Sequence, residues 1–158
     1  MGKLFERRGR LRRVAAAAVG GALAAGIVIG MTARLLMSAI TVAAAEESTF
    51  TVAGTAGIIM VFTVLAVPAA VTAGGPPVVR VAGRWVTAAV TGWAMATTGF
   101  ADGAAVLLAP DSRMPLIVVI VVAFGTTVVA HGAFAQFVAG RLAGAPATAP
   151  LPGATATA

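Results

Sequence analysis

The chain of 158 residues contains no cysteine, one histidine and five acidic residues. Without cysteine it can form no disulfide, present no catalytic thiolate and hold no cysteine-ligated metal. One histidine among so few carboxylates also disfavours a metal site. No catalytic motif or cofactor fingerprint appears. We therefore expect no enzyme and no bound cofactor.

Charge is equally scarce, because charged residues make up 10% of the chain, against about 25% in an ordinary soluble domain. Hydrophobic residues make up 59%, and the mean hydropathy is +1.00. A soluble core of this size could not bury so much apolar surface, so lipid must solvate part of it. The composition is typical of a membrane protein.

Four apolar runs are each long enough to cross a hydrocarbon layer of about 30 Å. They predict an all-α integral membrane bundle of four transmembrane helices, with spans at about 14–40, 51–73, 85–108 and 115–140. Gly74-Gly75-Pro76-Pro77 separates the second run from the third, and Pro110-Asp111-Ser112 separates the third from the fourth. A basic segment (1–13) precedes the membrane domain (14–141), and a Pro/Ala/Thr-rich tail (142–158), expected to be disordered, follows it.

Basic residues fall on one side of a four-span arrangement. The side that carries both termini has Lys3, Arg7, Arg8, Arg10, Arg12, Arg13, Arg80, Arg84 and Arg141. The opposite side has Glu46, Glu47, Asp111 and only Arg113. The positive-inside rule then places both termini in the cytoplasm and the protein in the inner (plasma) membrane.

The amino-terminal part allows other interpretations. A basic segment, an apolar run and Ala43-Ala44-Ala45 imitate a cleavable signal peptide, but the run is too long and Arg34 interrupts it, so we expect retention. The basic segment could contact anionic lipid heads. No groove-reading motif accompanies it, and we expect no nucleic-acid partner. A topology signal is the favoured interpretation.

Ionisable residues within spans are costly and are functional candidates by default. Arg34 lies 20 residues beyond Val14 and Asp102 lies 17 residues beyond Trp85, which places both about 25–30 Å from the cytoplasmic face. We therefore predict an intramembrane pair of Arg34 and Asp102. His131 falls too far inward to join them. A hydrogen-bonded structural histidine is favoured there over a proton-active one.

A polar stripe occupies one face of the third span, because Thr87, Thr91, Thr98 and Asp102 follow one another at helical spacing. This face is expected to point inward. Its functional interpretation is a polar path or a ligand wall. The favoured alternative is packing, with each threonine hydroxyl bonded to its own helix or to a neighbouring helix.

Small residues at four-residue spacing indicate close helix contact. Gly26 and Gly30 form a GxxxG motif, and Ala16/Gly20 and Gly92/Ala96 repeat the theme. Such faces serve either the bundle itself or contact with a second subunit or membrane protein. Pro68 lies deep in the second span, where it predicts a kink and a freed carbonyl at Val64.

Arg34-Leu35-Leu36-Met37, followed by Glu47-Ser48-Thr49-Phe50-Thr51 and Gly54-Thr55, resembles a pattern of small uncharacterised four-helix membrane proteins of actinobacteria. The likeness covers about residues 20–65. It implies the same four-span build but no activity, so no site residue is carried over. Independently, Thr51 is placed to cap the second helix.

Two classes of function fit these features. The favoured one is a non-enzymatic accessory or scaffold bundle that packs against itself or another membrane protein. The alternative is a small oligomeric transporter or channel that uses the stripe of the third span. A membrane enzyme is disfavoured, because no recognisable catalytic arrangement is present.

Overall fold

The computed structural model describes residues 2–43, 51–99 and 113–144, with side chains described within 6–43, 51–97 and 113–144. These residues form four helices and no strand, which confirms the all-α prediction. The helices are α1 (Gly2–Ala43), α2 (Val52–Thr72), α3 (Pro77–Gly99) and α4 (Met114–Gly144). Residues 145–158 of the tail and the connections at 44–50 and 100–112 lie outside the described residues, whereas residues 142–144 of the tail, expected to be disordered, belong to α4.

Two helices begin earlier than the predicted spans. α1 begins at Gly2 rather than near Val14, and α3 begins at Pro77 rather than near Trp85. A span begins where hydrocarbon begins, whereas a helix continues until its caps and turns end it. Arginine is a strong helix former, so the basic segment continues α1. Pro77 occupies the first position of a helix, where its missing N–H costs nothing.

Three stretches are long and apolar enough to cross a membrane: Glu6–Ala43, Val52–Thr72 and Met114–Gly144. α3 is not among them over its described residues. Arg80 and Arg84 lie in its first turns, and the last part of the predicted third span (100–108) lies outside the described residues.

The ends of α2 follow from local chemistry. Thr51 is the N-cap, and its hydroxyl accepts a hydrogen bond of 3.1 Å from the backbone N–H of Gly54, which satisfies one of the unpaired donors of the first turn. The capping role predicted for Thr51 is confirmed. At the other end, the N–H of Gly75 donates to the carbonyl of Thr72 over 3.0 Å and closes the turn before α3.

The helices form a bundle in which α1 and α3 lie on opposite sides of the α2–α4 pair. α1 packs most extensively against α2 and α4, α3 contacts the same two helices, and α2 also touches α4. The core between α1, α2 and α4 is built largely from alanine. Its members are Ala18, Ala22, Ala25, Ala66, Ala69, Ala70 and Ala135.

The GxxxG motif of α1 is used inside the bundle. A Cβ built at Gly26 would collide with the hydroxyl and backbone of Thr63 on α2, and one at Gly30 would lie 3.2 Å from the Cα of Ile59. Only glycine permits such a backbone approach. The sequence allowed this motif to serve contacts within the bundle or contacts with a second protein. The structure shows the contact within the bundle.

Large apolar side chains are exposed on the outer surface of every helix. Leu35, Met60, Trp93 and Val119, one on each helix, are between 60% and 70% exposed. A water-soluble monomer rarely exposes continuous apolar surface on this scale. The exterior agrees with the membrane class inferred from composition.

The carboxyl end of α1 is held by the residue that precedes α4. The Nη1 of Arg113 donates to the carbonyl of Ala43 over 3.1 Å and lies 3.5 Å from that of Val42. α1 has no basic residue in its own last turn. Arg113 supplies both the positive charge and the donors that a helix carboxyl terminus favours.

Candidate functional site

Polar side chains gather where α2, α3 and α4 meet. We call this set the polar interface and define it by Thr72, Arg84, Thr87, Thr91, His131 and Gln136. It extends from the end of the bundle that carries the α2–α3 turn towards the middle of the helices. Its hydrogen bonds fall into three groups.

The first group joins Thr91 of α3 to His131 of α4. The threonine Oγ1 lies 3.1 Å from the imidazole Nδ1, and the tautomer decides which of them donates. Both residues are 0% exposed. The ring of Phe62 lies 5.3 Å from the imidazole at a tilt of 54°. Among the described residues, the His131 Nε2 has no hydrogen-bond partner.

The second group lies at the proline of α2. The hydroxyl of Thr87, which is fully buried, accepts a hydrogen bond of 3.1 Å from the backbone N–H of Ala69. Ala69 directly follows Pro68, where the helical hydrogen-bond ladder is interrupted. A side chain of α3 therefore binds the backbone of α2 beside its proline.

The third group is centred on Gln136, which is 4% exposed. Its Oε1 accepts from the Nε of Arg84 over 2.6 Å. Its Nε2 donates to the hydroxyl of Thr72 over 3.1 Å and to the carbonyl of Arg80 over 2.7 Å. One amide thus uses both of its donors and its acceptor to connect α4 with α2 and α3.

Two glycines let these helices approach closely enough for the bonds to form. A Cβ at Gly83 of α3 would collide with the hydroxyl of Thr72, and a Cβ at Gly132 of α4 would lie 3.0 Å from the Cα of Arg84. A larger residue at either position would force α3 away from its neighbour, because the obstructing atoms are partly backbone.

The hydroxyls of Thr87 and Thr91 differ in their bonding from those of most threonines whose side chains the structure describes. Thr32, Thr63 and Thr126 each donate to the carbonyl four residues earlier in their own helix, as expected for threonine in membrane helices. Thr87 and Thr91 instead bond to other helices. The packing interpretation of the stripe allowed bonds to the same helix or to a neighbouring helix, and for these two residues the structure shows bonds to neighbouring helices.

The remaining candidates of the sequence analysis are not brought together by the described residues. Arg34 is half-buried in α1, and a Cβ built at Gly54 of α2 would lie 3.8 Å from its Nη2. Asp102 and the side chain of Thr98 lie outside the described part. The pair of Arg34 and Asp102 therefore stays a prediction. Within the described residues no group of three potential metal ligands occurs.

Sequence reasoning missed the third group. Gln136, Thr72 and Arg84 were not singled out as interacting residues, and Arg84 served only as a topology signal. One available signal was the spacing of Gly132 and Gln136, four residues apart on one face of α4. Another was the position of Thr72 one turn beyond Pro68.

No family model, curated protein or solved structure matches this chain.

Proposed function

We propose that the protein is a four-span integral membrane bundle of the inner (plasma) membrane, with both termini in the cytoplasm, and that it acts as a non-enzymatic accessory or scaffold protein. Three apolar helices and the apolar exterior support membrane insertion. The distribution of Lys and Arg supports the orientation. α3 provides the remaining crossing and packs against α2 and α4.

The observation that carries the scaffold assignment is the separation of the three hydrogen-bonded groups. Within the described part of the chain, no hydrogen bond joins the Gln136 group to Thr87, or Thr87 to the pair of Thr91 and His131. Each group instead fastens α3 to a neighbouring helix. A conducting route needs polar groups through the whole depth of the membrane.

Transport is the second candidate, and one observation favours it. Within the described part of the chain, the His131 Nε2 is buried without a hydrogen-bond partner, and His131 lies at the end of the polar interface that is deepest in the bundle. A buried imidazole with a free nitrogen is able to exchange a proton.

Flux measurements separate the two functions. Purified protein in liposomes is expected to pass no protons or ions above an empty-liposome control. Thr91→Val and His131→Phe should then alter stability and leave flux at background. A reproducible flux that is lost in these variants and kept in Thr126→Val, whose hydroxyl bonds only within α4, would overturn the scaffold assignment.

Cysteine labelling tests the topology, since the chain has no cysteine of its own. Single cysteines at Ser48 and Ser112 should react with an impermeant maleimide in intact cells. Cysteines at Gly74 and Thr148 should react only after lysis. Reaction of Thr148→Cys in intact cells would contradict the proposed orientation.

A scaffold must also touch a partner. Photo-crosslinking residues at Leu35, Met60, Trp93 and Val119 sample the exposed surface of all four helices. At least one position should give a protein adduct of a single mass in cells, identifiable by mass spectrometry, while the others give lipid adducts. Lipid adducts alone at all four positions would contradict the scaffold role.

A further inference from the structure

A cleft of about 910 Å³ opens at the end of the bundle where α1 begins and α2 and α4 end. Its volume is within the range of small-molecule sites, roughly 300–1,000 Å³. The beginning of α1 forms one wall, the α2–α3 turn forms the opposite wall, and the end of α4 closes the cleft. The residues that matter for its chemistry are Glu6, Arg10, Arg13, Val14, Val71 and Gly75.

Two guanidinium groups lie on the same side of α1. Arg10 and Arg13 are three residues apart, which places them next to each other on a helix surface, and both line the cleft. Arg7, Arg8 and Arg12 belong to the same basic segment and do not line it. Planar guanidinium groups bind phosphate oxygens in a forked geometry. Glu6 contributes one negative charge to the lining and the two arginines contribute two positive charges, so the net charge of the lining is positive.

Apolar surface continues directly from these arginines. Val14 and Val71 also line the cleft, and they are 43% and 58% exposed. The turn residue Gly75 contributes no side chain that would fill the space. A ligand that joins a phosphate group to a hydrocarbon chain therefore meets guanidinium groups at one end and exposed valines at the other.

We propose that this cleft binds the phosphate group of an anionic phospholipid, with the acyl chains lying along the exposed valines of α1 and α2. The proposal rests on the membrane insertion argued above. In the N-in orientation the cleft lies at the cytoplasmic leaflet, where basic side chains attract anionic lipid.

Native mass spectrometry of the full chain in detergent, titrated with phosphatidylglycerol, tests the site. Arg10→Gln/Arg13→Gln should weaken binding of the first lipid by at least about tenfold, because it removes both guanidinium groups that would contact the phosphate oxygens directly. The matched control Arg7→Gln/Arg8→Gln removes the same charge from the same helix outside the cleft. It should weaken binding less than about threefold.

Further measurements determine which molecule carries the bound phosphate group and how the negative charge of Glu6 affects binding. Phosphatidylcholine should bind more weakly than phosphatidylglycerol, and Glu6→Gln should tighten phosphatidylglycerol binding. Millimolar inorganic phosphate or glycerol phosphate should not displace the first lipid. Displacement would show that the cleft takes a soluble phosphate and would overturn the lipid assignment.

Equal losses in the two double variants would also overturn the site, because they would indicate diffuse attraction to the whole basic segment. Circular dichroism should give unchanged helix content for both, since the substituted side chains are exposed. Flotation with liposomes distinguishes the two proposals. A chain that fails to float contradicts membrane insertion and the lipid site together, whereas one that floats and shows equal losses contradicts the lipid site alone.

Discussion

Replacing Gln136 by leucine should destabilise the bundle measurably, because this one side chain makes three hydrogen bonds across helices. Leucine has a similar volume and keeps the buried position filled, so the change removes polar contacts and leaves no large cavity. Interhelical hydrogen bonds in membrane proteins average about 0.6 kcal/mol each, which gives a loss of about 2 kcal/mol for three.

The assay is reversible unfolding in mixed micelles, followed by circular dichroism. Thr126→Val is the matched control. Its hydroxyl lies exposed on the same helix and bonds only to the carbonyl of Val122, so its removal should change the free energy of unfolding by less than about 0.5 kcal/mol. Thr72→Val, made alone and together with Gln136→Leu, isolates the bond between these two side chains.

Two results would refute this reasoning. If Gln136→Leu unfolds at the same denaturant concentration as Thr126→Val, the amide does not hold the three helices together. If Thr72→Val and Gln136→Leu have strictly additive effects, the bond of 3.1 Å between them contributes nothing. A coupling free energy of about 0.6 kcal/mol is expected.

Gly26→Ala should lower the free energy of unfolding by about 1–3 kcal/mol, because the added Cβ collides with Thr63. Gly57→Ala, which has open space around it, should raise the free energy of unfolding by up to about 1 kcal/mol. Calorimetry in detergent compares the two variants, and equal effects would contradict the packing of α1 against α2. Asp102→Ala should cost more stability than Arg34→Ala/Asp102→Ala if the predicted pair exists, and additive effects in thermal unfolding would exclude it.

The helix content was predictable because its causes are local. Apolar runs of sufficient length are separated by short turn-forming or charged segments, and Thr51 carries the capping chemistry in its own side chain. α1 and α3 begin before the predicted spans, because hydropathy locates the ends of an apolar run and not the ends of a helix. Arginine lowers hydropathy but does not end a helix.

The partners of the polar residues were less predictable, because they depend on how each helix is rotated about its axis. Helical spacing puts Thr87 and Thr91 on one face of α3, but no periodicity states that His131 of α4 faces Thr91. The positions of these residues along their spans showed only that His131 lies too far from Arg34 to contact it. The contact depends on Gly132, whose missing side chain brings α4 against the backbone of α3.

The use of Gln136 was harder still to foresee. A single glutamine in an apolar helix carries no motif, and two of its partners are a carbonyl and an arginine that the sequence assigned to topology alone. Its function became visible only when Thr72, Arg80 and Arg84 were brought to one point by two different helices.

The contacts of α4 have a consequence for the order in which the chain matures. This helix follows the other three in the chain, yet Arg113 closes the end of α1, Ala135 completes the alanine core, and Gln136 joins α2 to α3. A nascent chain that stops at α3 therefore exposes unpaired carbonyls and a half-built core to the bilayer.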